Sequence, residues 1–145
     1  MKLQTERFLT FYLDSYLCAF KVSDIKEINH PLDDFHASDS RATLRDESIP
    51  FYDLRPRLGL ESVRTTDARI IVLKSQSGLK TTLVDRVHAV VDLYADQWET
   101  VTEKDALPIA SDSIFIGIAS WKGLSVLLLD PLKLFENSRN QIIAS

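Results

Sequence analysis

Apolar residues in this chain change sides every second position far more often than every third or fourth, which is the period of a strand and not of a helix. The first clear case is Phe8 to Leu13, where Leu9, Phe11 and Leu13 face one way and Phe8, Thr10 and Tyr12 the other. Asp14-Ser15 is a turn signal, so Tyr16 to Phe20 is the expected return strand of a hairpin. Ser23 is placed to cap a short helix with Ile25 and Ile28 on its buried side. Residues 29–40 carry a proline, three aspartates and two serines, the composition of a loop. A short strand follows, with Ile49, Phe51 and Asp53 on one side and Pro50, Tyr52 and Leu54 on the other. Pro50 cannot donate to a ladder, which puts this strand at an edge or gives it an irregular start.

Beyond the polar stretch Glu61 to Asp67, the run Ala68 to Lys74 is too short and too β-branched for a helix. Ser77-Gly78 turns it into Lys80 to Val84, and Val87 to Leu93 adds a further strand. Asp96-Gln97-Trp98-Glu99 has the form of a capping box opening one helical turn. Ile114 to Ser120 and Leu124 to Leu129 form a second hairpin around Lys122-Gly123, and Pro131 starts a closing helix over Leu132 to Phe135. Short strands with helical pieces only as connectors imply an all-β fold with short helices, a barrel or a pair of barrels. A length of 145 residues suits one domain made of two small subdomains, with 61–67 as the candidate junction.

Composition narrows the function. The 45% hydrophobic and 26% charged shares are those of a globular protein, and a net charge of -4 argues against nucleic acid as the main partner. No apolar run approaches the roughly 20 residues that a membrane helix needs, so no direct membrane insertion is expected. The one cysteine, Cys18, excludes an intramolecular disulfide and fits a reducing, cytoplasmic compartment. Its apolar surroundings, Leu17 to Phe20, make it core filler in preference to a nucleophile.

Reactive constellations are missing from the pattern. His30, His36 and His88 have no metal-site spacing with Cys18, and the four glycines build neither a phosphate loop nor a dinucleotide fingerprint. No catalytic, cofactor-binding or metal-ligating residue is therefore expected. Asp85-Arg86 has the look of an exposed ion pair contributing about 0–1 kcal/mol. Trp98 and Trp121 suit a core or a subdomain seam, although Trp121, beside a hairpin tip, would also suit an interface. The stretch Thr43 to Arg55 differs from the rest. It displays Arg45 in a turn and ends a strand on Asp53 and Arg55, with no reactive group beside them. Arg45 has the fork to bridge two halves of the fold or to meet a partner's carboxylate.

Several of these segments follow one another in a familiar order. They are Cys18-Ala19-Phe20-Lys21-Val22-Ser23-Asp24-Ile25-Lys26-Glu27-Ile28, then Thr43-Leu44-Arg45-Asp46 with Pro50-Phe51-Tyr52-Asp53-Leu54-Arg55, then Val84-Asp85 with Val87. Gly117-Ile118-Ala119 and Leu127-Leu128-Leu129-Asp130, with Leu134, close the series. Together they resemble the CheW family, adaptors that join chemoreceptors to the CheA histidine kinase, over Phe8 to Phe135. The chain departs from that pattern at Thr43 (asparagine in the family), at Asp46 and Arg86 (glycines), and in a shorter segment between Ile28 and Leu44. The missing part is expected to leave the first barrel incomplete or its edge exposed, inviting self-association.

The resemblance implies two SH3-like five-stranded β-barrels packed side by side and no catalysis. The implied partners are the regulatory domain of a CheA-type kinase, held at barrel ends, and the helical tip of a chemoreceptor, held in a groove between barrels. It implies a cytoplasmic protein at membrane-associated receptor clusters. Ile25, Glu27 and Ile28 fall at that groove and its rim, Arg45 falls on the signature arginine, and Asp53 and Arg55 complete the expected contact set. For the two isoleucines core packing is an equal alternative. Other readings are a CheW-like module serving pilus motility or polar localisation, a small-molecule-binding barrel, and, with least support, a small enzyme.

Overall fold

A computed structural model describes residues 4–30, 36–38, 41–44, 46–61, 65–99 and 114–133. The N-terminal alternation folds as a hairpin, β1 (Thr5–Leu13) against β2 (Tyr16–Lys21), across a turn in which Asp14 takes a φ of 56°. The chain leaves it through a 3-10 turn, Val22–Asp24, and continues as β3 (Ile25–Asn29), β4 (His36–Ser38), β5 (Arg41–Leu44) and β6 (Glu47–Tyr52). A single helical turn, α1 (Leu54–Arg57), precedes β7 (Arg69–Ser75) and β8 (Gly78–Val84). β9 (Arg86–Tyr94) then returns to pair with β1, and β10 (Trp98–Glu99), β11 (Phe115–Trp121) and β12 (Leu124–Leu129) complete the described elements.

The strands form two six-stranded sheets. One, in the order β10-β11-β12-β2-β1-β9, joins the two ends of the chain; the other, β3-β7-β8-β6-β5-β4, is its middle. Three strands separate β11 from β9 in the first order, yet the rings of His88 and Trp121 lie 5.7 Å apart, so that sheet curls round on itself. This is the all-β pair of subdomains that was expected, each sheet holding six strands among the described residues.

Both faces of the central strands are covered, which explains why so few polar residues interrupt them. Leu9, Phe11 and Leu13 of β1 join Phe20, Leu54, Leu58, Ile71, Leu73 and Val84 in a core shared by the two sheets, with Phe11 stacked on Phe20 at 5.2 Å. Phe8, on the other face of β1, packs with Leu17, Val91, Leu93 and Leu128 inside the first sheet. Ala42, Leu44, Ile49, Phe51, Ile70 and Val72 fill the second. Burying each large apolar side chain contributes about 1.5–3 kcal/mol, so the shared cluster is a main source of adhesion between the sheets.

Several expectations are corrected. Ser23 caps no helix: the 3-10 turn there is entered from Lys21 without a side-chain cap, and Ile25 to Asn29 is a strand. Pro50 does not put β6 at an edge. β5 pairs with β6 over Glu47 to Pro50 and β8 takes over at Phe51, so the missing donor falls at the handover. The candidate junction 61–67 includes residues outside the described ones; the described crossings between sheets lie at Val22–Asp24 and at Asp85. Between Ile28 and Leu44 the described residues supply β4 and β5, and β4 is an open edge of the second sheet. The turn before Trp98 is capped by Gln97, whose Oε1 accepts from the Tyr94 amide at 2.7 Å, and not by Asp96 with Glu99.

Gly117 shows how tightly β11 is packed against β10. A Cβ there would stand 2.5 Å from the Glu99 carbonyl oxygen and 2.7 Å from Trp98 Cε3. Gly117→Ala is expected to cost about 1–3 kcal/mol, read as a lower urea midpoint with an unchanged slope.

Candidate functional site

β3 is an edge strand of the second sheet, paired with β7 alone among the described residues. Its ladder slips between Ile25 and Glu27, which face Leu73 and Val72 respectively. Ile25 is half-buried against the shared core. Ile28, opposite Ile71, is 41% exposed. The two readings of these isoleucines therefore divide between them: Ile25 is packing, and Ile28 is an apolar side chain on display. Glu27 is half-buried between them. Beside β3, the Asp24 carboxyl is raised above its ordinary value by burial first of all. Asp130 and Glu6 push the same way, and Lys21 and Lys74 oppose.

Arg45 lies outside the described residues. The residue after it, Asp46, takes a φ of 66°, so aspartate adopts here the left-handed backbone for which glycine is the usual choice.

Asp53 and Arg55 turn inward. Asp53 caps α1, its Oδ1 accepting from the Arg55 amide at 3.1 Å. The Arg55 residue is 8% exposed; its Nε donates to the Glu61 carbonyl at 2.6 Å and its Nη1 to Oδ2 of Asp85. That carboxylate also accepts the Asp14 amide at 2.6 Å, the Asp85 amide donates to the Tyr12 carbonyl, and the Asp85 carbonyl accepts from Thr65 Oγ1. Arg55 is thus a strut between the α1 turn and the crossing at Asp85. Asp85-Arg86 is not an ion pair: Asp85 binds Arg55, and the Arg86 guanidinium sits 4.6 Å from the Tyr12 ring centroid. Reading along the sequence missed Asp85 as a structural hub, although the Val-Asp-x-Val pattern marked it.

Cys18 is fully buried, and burial, with the Asp85 charge adding, pushes its thiol far above the usual range. Among the described residues no group of three or more His, Cys, Asp or Glu side chains is placed to hold a metal ion. The arrangement on β3 and its flanks offers an apolar side chain, partly buried carboxylates and an open strand edge, the means of a protein contact.

The model of the CheW-like domain family matches residues 7–139. Among solved structures the chain is similar to the scaffolding protein TtCheW from Thermoanaerobacter tengcongensis, with a TM-score of 0.75 and 19% identity over 90% of this chain and 87% of that one. No curated protein matches the sequence.

Asp85→Ala is expected to lose about 3–5 kcal/mol in chemical unfolding, because it strands the Arg55 guanidinium in the interior. Arg55→Met combined with Asp85→Leu should cost less than that single change. Because the Asp24 carboxyl is raised, the stability it confers is present below its unfolded-state value and is lost as pH rises through its folded-state value. Asp24→Asn should flatten that slope in unfolding curves measured across the acid range.

Proposed function

The chain belongs to the CheW-like domain family, a chemotaxis scaffold family, and on that premise we propose that it couples chemoreceptors to a CheA-type histidine kinase by protein contacts, without catalysis. The observation that carries this reading is Ile28, a large apolar side chain exposed on the edge strand β3 while its neighbour Ile25 anchors that strand in the shared core. An amphipathic helix from a receptor tip binds by laying apolar anchors against such a surface, with a charged rim to set its register. In this proposal Ile28 is the anchor, Glu27 the rim, and Arg45 belongs to the same contact. Ile25 anchors the strand beneath it, and Asp53 and Arg55 act from further off, through the tie to Asp85.

The kinase regulatory domain would be taken at barrel ends, and an open edge, β3 or β4, would serve any self-association. The shared core and the Arg55–Asp85 strut favour a single domain of two subdomains over 1–145. Among the described residues no helix is long and apolar enough to cross a membrane. The proposed place of action is the cytoplasmic face of receptor clusters, reached through partners, with no nucleic acid involved.

The test is a pull-down of the purified protein against the regulatory domain of a CheA from the same cell and, separately, a receptor signalling fragment. Both should bind. Ile28→Asp should lose the receptor fragment, retain the kinase domain and keep the wild-type circular dichroism. Retention of the receptor by a folded Ile28→Asp protein overturns the β3 assignment. Failure of the wild type to bind either partner overturns the coupling role and favours a CheW-like module serving another pathway.

A further inference from the structure

One end of the first sheet carries a construction that the adaptor reading does not use. The β1–β9 ladder pairs Thr10 with Ala89 and Phe11 with Val87, so His88 is an extra residue, a bulge. Bulges re-aim a side chain at some cost to the ladder. Here the loss is made good by Thr10, which is fully buried. Its hydroxyl donates to the Ala89 carbonyl at 2.8 Å and accepts from the Ala89 amide at 3.1 Å. The same oxygen lies 3.0 Å from His88 Nδ1. A hydroxyl has one hydrogen, and that one is committed to Ala89; the hydrogen in the third contact therefore belongs to His88 Nδ1. The ring is fixed by this bond, and Nε2 is its remaining polar atom.

The ring so held stands between two others. Tyr12 meets it edge-on at 5.4 Å and Trp121 edge-on at 5.7 Å. At the two ends of this row sit cations, the Arg86 guanidinium 4.6 Å from the Tyr12 centroid and Lys122 Nζ 4.9 Å from the Trp121 centroid. Neither cation has an ion pair among the described residues, whereas Arg7, Lys21 and Arg55 are each matched to a carboxylate. In a chain of net charge -4, an aromatic platform with an unpaired cation at each end is a locally positive surface.

We propose that this row, Arg86–Tyr12–His88–Trp121–Lys122, is a docking surface for an acidic, amphipathic segment of a partner protein. Carboxylates of the segment meet Arg86 and Lys122, and apolar side chains between them lie on the three rings. Cations already resting on rings are partly ordered before they bind, which lowers the entropic cost of meeting a carboxylate. The aromatic centre excludes water and strengthens the charge pairs at its ends. The inference stands on this geometry and is separate from the proposed receptor contact on β3.

The test is a titration followed by NMR, with the two indole N–H resonances assigned by Trp121→Phe. The probe is a short peptide alternating Glu and Leu; its Gln-for-Glu counterpart and a single-stranded oligodeoxythymidine of matched charge are run beside it. The Glu peptide should shift the Trp121 indole and the His88 ring signals and leave Trp98 in place. Arg86→Gln with Lys122→Gln, both on the surface, should weaken it by about tenfold while the rest of the spectrum is unchanged. Arg86→Glu with Lys122→Glu should instead prefer a Lys-Leu peptide, a reversal that loss of fold cannot produce. Equal binding of the Gln peptide, preference for the oligonucleotide, or an unmoved Trp121 overturns the proposal.

Discussion

The buried pair between Arg55 and Asp85 is the constraint on which the arrangement of the two sheets depends. The first sheet is assembled from the two ends of the chain and the second from its middle, so the chain passes between them twice. Asp85 is the second passage. Its carboxylate takes Arg55 from the α1 turn of the second sheet and the Asp14 amide from the hairpin of the first. Its own backbone amide is tied to Tyr12. A residue at a crossing has no ladder to hold it, and here side-chain and turn bonds from both sheets replace one. Asp53 extends the same logic, since by capping α1 it sets the direction from which Arg55 enters. The net energy of such a pair is modest compared with an apolar substitute. What it supplies is geometry, because the guanidinium fork accepts partners only in its own plane.

That constraint makes sense of the covered faces of β1. Leu9, Phe11 and Leu13 work only if the second sheet lies at a fixed angle beneath them, and Phe8 works only if the first sheet closes above. The apolar clusters supply adhesion without direction, and the polar tie supplies direction with little adhesion. Neither alone specifies one arrangement of two curved sheets.

The strands were legible because alternation is a local property, and β1, β2, β7, β8, β11 and β12 fall where the pattern put them. Ile25 and Ile28 misled for a physical reason. Apolar residues three apart form a stripe on a helix but fall on opposite sides of a strand, and only tertiary pairing decides between them. Here pairing with β7 won, which half-buries one isoleucine and exposes the other. Arg55 and Asp85 were each visible as members of familiar motifs, yet they are 30 residues apart and nothing along the chain says that they meet. The same holds for the bulge at His88, which exists only as a mismatch between β1 and β9. Pro50 was read correctly as a residue without a donor, but the ladder solved that by changing partners, an option invisible in one strand.

A protein whose central strands are buried on both faces has spent its sheet faces on stability, so the surfaces left for contact are edges and ends. β3 is such an edge, and it is where Ile28 escapes the core. The end of the first sheet at His88 is the other kind of place, built from residues on β1, β9 and β11 that the curling of one sheet brings together. The two differ in the physics of recognition. The edge offers backbone hydrogen bonds and an apolar anchor, which favour a partner with regular structure of its own. The end offers rings and unpaired cations, which favour charge and tolerate an extended segment. Because the Arg55–Asp85 tie fixes one sheet against the other, a partner seated on the edge of the second sheet and one seated at the end of the first are held at a set distance and angle. A scaffold needs that property above affinity, and this chain obtains it from one buried pair and one shared core.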